Sequence, residues 1–301
     1  MPVHDDLGKR MKENYESIPK YRLMRRTPVI IRIDGKAFHT FTRGFKKPFD
    51  MVLVRTMQET MKYLCENIQG CVFGYTQSDE ISLLLVDYKR FNSSAWFDNE
   101  IQKMCSISAS LATLSFNINF HNIYSEIDPV IQFYACSNAM DESDKKEIEE
   151  NWKRVNEFGF NNLEDLEKYC SKYRNKSYIS DAGATFDSRV FNIPKEEVTN
   201  YFYWRQIDAI RNATEMVGQA NFSHKELHKK SCNNIKEMLE EQKNIKMDDF
   251  AIDLQRGSCC YKETYTKDDA IRTRWVIDRN IPIFNNEGRE YIDKWIEPEQ
   301  E

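Results

Sequence analysis

The chain has 301 residues, of which 30% are charged and 13% aromatic, and its formal net charge is −5. This composition predicts a folded globular protein of one or two domains and excludes a disordered chain. The acidic net charge disfavours a protein that coats nucleic acid with its whole surface, whereas a local basic face is compatible with it.

Hydrophobic periodicity and the positions of proline and glycine divide the first part of the chain into helices and strands. In chain order we predict a helix at 5–19, a strand at 29–34, a helix at about 50–68, strands at 71–76 and 80–87, a helix at about 100–118, a short edge strand at 131–136 and a strand at 185–191. The order βαββαβ, with additional elements, specifies a ferredoxin-like split β-α-β sheet with the strand 29–34 in the middle. By fold analogy, the sequence predicts an α+β protein with a palm of the polymerase or cyclase type.

The second half is predicted to be largely helical. The expected elements are helices at about 195–219, 223–241 and 247–254, followed by strands near 257–263 and 271–279. Tyr203 and Trp204, on the first of these helices, are interpreted as core anchors. The segment 141–178, rich in Glu, Lys, Asp and Asn, is interpreted as a solvated helical insertion. We therefore divide the chain into a palm domain at 1–194, which contains the insertion, and a helical region with terminal strands at 195–301.

Two acidic segments follow strands that this topology places side by side. Asp34 ends the strand 29–34 and precedes Gly35, while Asp79 and Glu80 lie between the next two strands. Neighbouring carboxylates repel each other unless a cation lies between them, and Mg²⁺ binds a few carboxylates together with phosphate oxygens. The combination predicts a two-metal nucleotidyl-transfer site. Each motif on its own is also typical of an ordinary turn.

Two basic segments could supply the positive charge that such a site needs. In the loop 35–49 we expect aromatic residues to hold the backbone against the core, so that lysines and amide groups face phosphate. The helix that begins after Ser223 carries the densest cationic cluster of the chain, with His224 and His228 one turn apart. This cluster favours an RNA-facing helix over a zinc site, because H-E-x-x-H requires glutamate where Lys225 stands. A solvated surface helix is the alternative.

Cysteine usage and the N-terminal residues indicate the cellular setting. The eight cysteines form no C-x-x-C pair and most lie in apolar runs, which favours reduced thiols in the core. The first residues are acidic and lack the apolar stretch of a signal peptide, and no apolar run is long enough to span a membrane. We expect a soluble, cytoplasmic protein without a membrane partner.

Five short segments, in the same order along the chain, resemble motifs of the tRNA-His guanylyltransferase family, which includes the 3′-to-5′ polymerases. They are Arg32–His39, Lys47–Asp50, Gln77–Glu80, Phe186–Val190 and Trp204–Asp208. The resemblance implies an enzyme that adds nucleotides to the 5′ end of tRNA. In this family ATP activates a 5′-monophosphate as an adenylate, and the 3′-hydroxyl of an incoming nucleoside triphosphate then attacks it. Pyrophosphate is finally removed from the new end.

The resemblance also assigns roles to matching residues. Asp34, Gly35 through its carbonyl, and Asp79 would bind two Mg²⁺ ions, and Glu80 would complete the catalytic set by orienting the site. Besides these three metal ligands, the positions assigned to the nucleotide, ATP or GTP, are Arg32, Lys36, Ala37, Phe38, His39, Lys47, Asp50 and Ser78. The positions at which we expect tRNA are Arg205, Arg211, Asn212, His224, Lys225, His228, Lys229 and Lys230. The family further implies a homotetramer.

One departure from the family concerns the type of reaction. Eukaryotic members that add a guanosine to tRNA-His carry His-Ile-Asn-Asn after Trp-Arg-Gln, whereas this chain has a different sequence at 208–214. That segment looks like the bacterial-type relatives, which repair 5′-truncated tRNAs against a template. Templated repair and single guanosine addition both stay open at this point.

Two other classes of function are compatible with the same acids. A nucleotide cyclase or dinucleotide synthase could use the same palm, but it needs no basic helical half. A non-catalytic tRNA-binding protein is disfavoured by the intact set of Asp34, Asp79 and Lys47. No Walker A motif or G-x-G-x-x-G fingerprint occurs, so P-loop and Rossmann chemistry are unsupported.

Overall fold

A computed structural model describes residues 6–135, 152–153, 155–160, 162, 164–170, 183–268 and 270–297. The strands are β1 (Val29–Gly35), β2 (Cys71–Gln77), β3 (Glu80–Leu85), β4 (Phe186–Asn192), β5 (Ser258–Lys267) and β6 (Ala270–Asp278). The α-helices are α1 (Asp6–Met11), α2 (Phe38–Phe41), α3 (Met51–Asn67), α4 (Ile101–Ala135), α5 (Lys195–Asn221), α6 (His224–Leu227), α7 (Cys232–Lys243), α8 (Ile252–Arg256) and α9 (Glu290–Asp293).

The strands form one six-stranded antiparallel sheet in the order β4-β1-β3-β2-β5-β6. β1 lies between β3 and β4, so the predicted central position of the strand that carries Asp34 is confirmed. Asp34 pairs with Glu80 on β3 and with Asp187 on β4. β5 and β6, which come from the C-terminal part of the chain, extend the same sheet beyond β2. The result is a mixed α/β protein built on an antiparallel sheet.

The two faces of the sheet bury different cores. Ile31, Ile33 and Leu83 face the core that contains residues of α3 and α4. Ile30 and Leu84 face the core formed with α5 and the C-terminal segment. Each fully buried side chain of this kind contributes about 1.5–3 kcal/mol, so the alternation fixes the register of β1. Because side chains alternate along a strand, the even-numbered polar residues of β1 lie on the α5 face, and the site is built there.

Several predicted elements are confirmed, and others differ from the prediction. The helix expected at 50–68 and the strand pair that follows it are α3, β2 and β3. Residues 131–135, predicted as a strand, are the last residues of α4, because the β propensity of a short run is overridden by continuation of a helix. The helix expected at 223–241 is interrupted, because Ser223 and Ser231 each begin a helix with a capping box.

The N-terminal helix predicted at 5–19 is only partly α-helical. An α-helical segment, Asp6–Met11, continues as a π-helix through Glu16. Its apolar residues face solvent: Leu7 is 58% exposed and Tyr15 is 66% exposed. No helix among the described residues combines the length and apolarity needed to cross a membrane.

The described part of the predicted insertion packs against the core formed with α3 and α4. Phe160 and Leu166 are buried in the core of α3 and α4. The ammonium group of Lys46 donates to the carbonyl oxygen of Gly159 and lies 4.8 Å from the centre of the Phe160 ring. These residues are therefore part of the core, and the expectation of a wholly solvated segment is wrong for them.

Candidate active site

Two predicted acids meet at one end of the sheet. The backbone N–H of Gly35 donates to the carbonyl oxygen of Asp79 at 3.1 Å, which ties the end of β1 to the turn between β2 and β3. Ser78 adopts a left-handed conformation in that turn (φ 50°), and its hydroxyl donates to Asp79 Oδ1 at 3.0 Å. Burial raises the pKa of Asp79, the bond from Ser78 opposes the rise, and the charge of Asp34 adds to it. A cation at this position would relieve both effects.

The loop after β1 exposes backbone amides. A Cβ on Gly35 would lie 2.2 Å from the buried ring of Phe38, so only glycine allows the loop to fold this closely. Ala37 is left-handed (φ 54°) and begins α2. The N–H of Lys36 donates to the Thr185 carbonyl, whereas those of residues 37–39 meet no backbone acceptor in the described part of the chain. Helix N-terminal amides of this kind suit an anion.

The aromatic residues of this loop hold its backbone against the core, as predicted. The Phe38 ring contacts the rings of Phe41, Phe116 and Phe186 at centroid distances of 5.2–5.5 Å. Phe38 is thus a core side chain, and it could meet a nucleotide only through its backbone. The side chains of Lys36, Ala37 and His39, together with Lys47 farther along, are exposed to solvent.

Asp50, unlike these exposed groups, is buried, and its carboxylate has a structural role. Its carboxylate accepts from the backbone N–H groups of Lys46 and Leu53 and from the hydroxyl of Tyr169. Burial raises the pKa of Asp50, and these hydrogen bonds oppose the rise. Asp50 is therefore the N-cap of α3, and the geometry gives no support to the nucleotide contact predicted for the same carboxylate.

A buried ion-pair network lies on the α5 face beside the acids. Glu80 is 3% exposed, and its two carboxylate oxygens accept from Nε and Nη2 of Arg205, each at 2.7 Å. Nη2 of Arg32 lies 2.8 Å from Glu80 Oε2, and Arg205 also donates to Asp208 at 3.0 Å. Burial lowers the pKa of Arg205, but the bonds and charge of Glu80 outweigh it, so the pKa is raised.

This network corrects the role predicted for Arg205. Its side chain is 4% exposed and saturated by carboxylates, so it is an internal cross-link between α5 and β3 and not a tRNA contact. Both carboxylate oxygens of Glu80 likewise contact guanidinium groups, which is consistent with a role in orienting the site. The neighbouring Trp204, expected in the core, is 53% exposed, and its ring lies 4.5 Å from the Arg205 guanidinium carbon.

The residues predicted to bind tRNA on α6 and in the loop after it form a separate basic surface. The side chains exposed there are His224, Lys225, His228, Lys229 and Lys230. The two histidine rings lie 6.3 Å apart, as expected for positions one turn apart. The Glu226 carboxylate accepts from the N–H and hydroxyl of Ser223 and forms no ion pair with these lysines within the described residues. Arg211 is exposed but pairs with Asp208.

The acids at this end of the sheet can be compared with the ligands that a metal ion requires. No group of three or more His, Cys, Asp or Glu side chains arranged for a metal occurs within the described residues. The available donors are the carboxylates of Asp34 and Asp79 and the carbonyl of Gly35. Mg²⁺ in nucleotide enzymes uses one or two carboxylates and completes its shell with phosphate oxygens and water. The donor set therefore fits Mg²⁺ that binds together with a nucleotide.

Three side chains near the acids had no role predicted from the sequence. Asp187 and Arg189 on β4 lie opposite Asp34 and Arg32, with more than half of each side chain exposed. Gln77, directly before the turn, is 8% exposed, and its Oε1 has no hydrogen-bond partner among the described residues. All three residues lie in the segments that resemble the family motifs, and that resemblance could have drawn attention to them. Only the strand register shows which face of the sheet they occupy.

Known proteins resemble the chain over most of its length. A family model described as Thg1, tRNAHis guanylyltransferase, matches residues 8–145. The structure of a bacterial tRNA(His) guanylyltransferase (Thg1)-like protein in complex with ATP is 36% identical, covers 97% of this chain and 99% of its own, and has a TM-score of 0.73. The corresponding GTP complex is 34% identical over the same shares, with a TM-score of 0.67. The tRNA(His) guanylyltransferase of Schizosaccharomyces pombe is 30% identical over 115 residues, which are 36% of this chain and 42% of that protein.

Proposed function

The chain belongs to the tRNAHis guanylyltransferase (Thg1) family of nucleotidyltransferases, and from this premise we propose that it adds nucleotides to the 5′ end of a tRNA in the 3′-to-5′ direction. The observation that carries the proposal is the meeting of Asp34 and Asp79 at one end of the sheet, tied by the bond from Gly35 to Asp79. Related structures contain ATP and GTP, which supports nucleoside triphosphates as substrates.

Asp34, Asp79 and the carbonyl of Gly35 would hold two Mg²⁺ ions. When bound, these ions would neutralise the triphosphate and the attacking and leaving oxygens. The protein's own contribution is charge and position, because phosphoryl transfer needs little covalent chemistry from the enzyme. The amides of residues 37–39, which meet no backbone acceptor in the described part of the chain, and the exposed side chain of Lys47 would receive phosphate oxygens. The buried partners of Glu80 keep the sheet edge and α5 in fixed relation around them.

The sheet order β4-β1-β3-β2 supports the assignment of a palm of the polymerase or cyclase type. We assign catalysis to residues 1–194 and RNA contact to residues 195–301, with β5 and β6 as a structural extension of the catalytic sheet. The α5 face, where Asp34 and Arg32 lie, is the side from which the tRNA end would approach.

The 5′ end would be extended against a template. Support comes from the segment 208–214, which lacks the His-Ile-Asn-Asn stretch of enzymes that add a single guanosine. A 5′-truncated tRNA transcript, incubated with ATP, Mg²⁺ and all four nucleoside triphosphates, should be extended with nucleotides that pair with the opposite strand. If the protein instead adds a single guanosine to tRNA-His, its activity is guanosine addition and not templated repair. Absence of any incorporation would contradict the proposal.

The basic surface of α6 and the following loop is assigned to tRNA phosphates. Replacing Lys225 and Lys230 by alanine should weaken tRNA binding and lower the slope of log K against log salt by about 0.9 for each phosphate that the variant no longer neutralises. Nucleotide binding should be unchanged. Replacing Lys9 and Lys12, which are exposed on the N-terminal helix, makes the same change in net charge and serves as the control. An unchanged salt slope in the first variant would exclude this surface from the RNA interface.

A further inference from the structure

An exposed tryptophan lies on α5 beside the buried ion-pair network. Trp204 is 53% exposed, although its indole ring is one of the largest apolar groups that a protein can bury. The positions on α5 that were predicted to contact tRNA are engaged elsewhere: Arg205 is buried, Arg211 is ion-paired, and Asn212 lines a cavity against α3. Trp204 was not among those predicted positions, yet its ring is the one that reaches solvent.

Buried charges hold this ring in a fixed orientation. The guanidinium carbon of Arg205 lies 4.5 Å from the ring centre, and that of Arg32 lies 5.9 Å from it. Both guanidinium groups are bound to the buried carboxylate of Glu80. Tyr201 contacts the same ring at a steep angle, with centroids 6.0 Å apart and ring planes 67° apart. A ring that is fixed before its ligand arrives loses little conformational entropy on binding.

The ring lies on the side of the sheet where the acids meet. Arg32 and Asp34 are two positions apart on β1, so they share one face of the sheet and lie about 7 Å apart along the strand. Glu80, which binds both arginines at the ring, pairs directly with Asp34 across the sheet. One ion-pair network therefore connects the exposed ring of Trp204 to the strand position of Asp34.

We propose that Trp204 stacks on the terminal base pair of the tRNA acceptor stem and thereby positions the 5′-phosphate at Asp34 and Asp79. The inference rests on the proposed function, because that function brings the 5′ end to these acids. Aromatic side chains stack on bases of any identity, since every base has a π-face. Extension against a template has to accept each of the four bases, and a stacking surface without hydrogen-bond readout meets that requirement. No proton or phosphoryl group passes through Trp204.

A second copy of the chain is the other occupant that an exposed tryptophan can have. The position of the ring favours RNA. A second chain seated on Trp204 would cover the α5 face, from which the tRNA end has to reach Asp34. The two occupants are separated by experiment.

The test removes the ring, the base, or both. Fluorescence anisotropy measures the binding of a 5′-monophosphorylated tRNA transcript and of the same transcript with an abasic first nucleotide. The unchanged protein should bind the abasic RNA about tenfold more weakly, which corresponds to about 1.4 kcal/mol. Trp204→Ala should bind both RNAs with the affinity that the unchanged protein has for the abasic one. An equal loss of affinity for the abasic RNA in both proteins would overturn the proposal, because the ring and the base would then act independently.

Two further variants separate stacking from effects on folding. Trp204→Phe keeps an aromatic ring and should bind the intact RNA within about threefold of the unchanged protein. Phe91→Ala removes another exposed aromatic side chain, 88% exposed, and should distinguish the two RNAs as the unchanged protein does. The affinity for ATP without tRNA should be the same in all variants. A folded Trp204→Phe protein that no longer distinguishes the two RNAs would also contradict stacking.

Sedimentation of the unchanged protein and Trp204→Ala tests the other occupant. A smaller assembly in Trp204→Ala, together with equal binding of the two RNAs by the unchanged protein, would assign the ring to a second copy and overturn the proposal. The binding measurements need no nucleotide addition, so the two proposals can fail separately. Discrimination that depends on Trp204, without extension of any tRNA, would contradict only the proposed function. Extension by a protein that ignores the terminal base would contradict only the stacking.

Discussion

Replacing Asp34 or Asp79 by asparagine should lower nucleotide addition by about a thousandfold or more, because each change removes several kcal/mol of charge stabilisation from the transition state. The protein should stay folded. Asparagine keeps the volume of aspartate, and burial and the nearby Asp34 raise the pKa of Asp79, which means that its charge is unfavourable in the protein without a cation. The melting temperature of Asp79→Asn should therefore be equal to that of the unchanged protein or higher.

Single-turnover extension of tRNA and thermal unfolding measure the two halves of this prediction. Asp249→Asn, a change at an exposed aspartate, is the matched control and should affect neither. Activity that survives in Asp34→Asn or Asp79→Asn would contradict the site. A large loss of stability in both would indicate structural acids instead.

Replacing Arg205 by methionine should cost about 3–5 kcal/mol of unfolding free energy, because it leaves the buried Glu80 carboxylate with Arg32 as its remaining ion-pair partner. Adding Glu80→Gln in the same protein should restore part of that loss, since it removes the buried carboxylate that Arg205 no longer compensates; the recovery is only partial because Arg32 then loses its ion-pair partner. Urea unfolding of the two single variants and the double variant gives the coupling energy.

An exposed pair provides the comparison for this cycle. Arg274 and Glu263 lie 2.8 Å apart, and their side chains are 61% and 42% exposed. Arg274→Met should cost less than about 1 kcal/mol, as exposed ion pairs do. If Arg205→Met instead weakened only tRNA binding and left the unfolding free energy unchanged, the internal cross-link would be the wrong account and the tRNA role predicted from the sequence would stand.

The central part of the fold could be predicted from local signals. The β-branched run of β1, the cap at Asp50 and the apolar stripe of α3 gave elements close to the observed ones. The order of these elements then placed Asp34 beside the β2–β3 turn, because a split β-α-β sheet has one central arrangement of its strands.

The predictions that were wrong concern the partner that a side chain contacts. Arg205 and Glu80 are 125 residues apart, and nothing local in α5 shows that its arginine points inward while Trp204 points outward. The same limit applies to Asp50, whose sequence context suited both a helix cap and a nucleotide contact.

The proposed reaction depends most on the binding of metal ions by Asp34 and Asp79. Titration with Mn²⁺ in the presence of a non-hydrolysable GTP analogue, followed by electron paramagnetic resonance, counts the ions directly. We expect two ions on each chain, and weaker or abolished binding in Asp34→Asn and Asp79→Asn. The same number of ions at the same affinity in both variants would show that the metals, and with them the reaction, lie elsewhere.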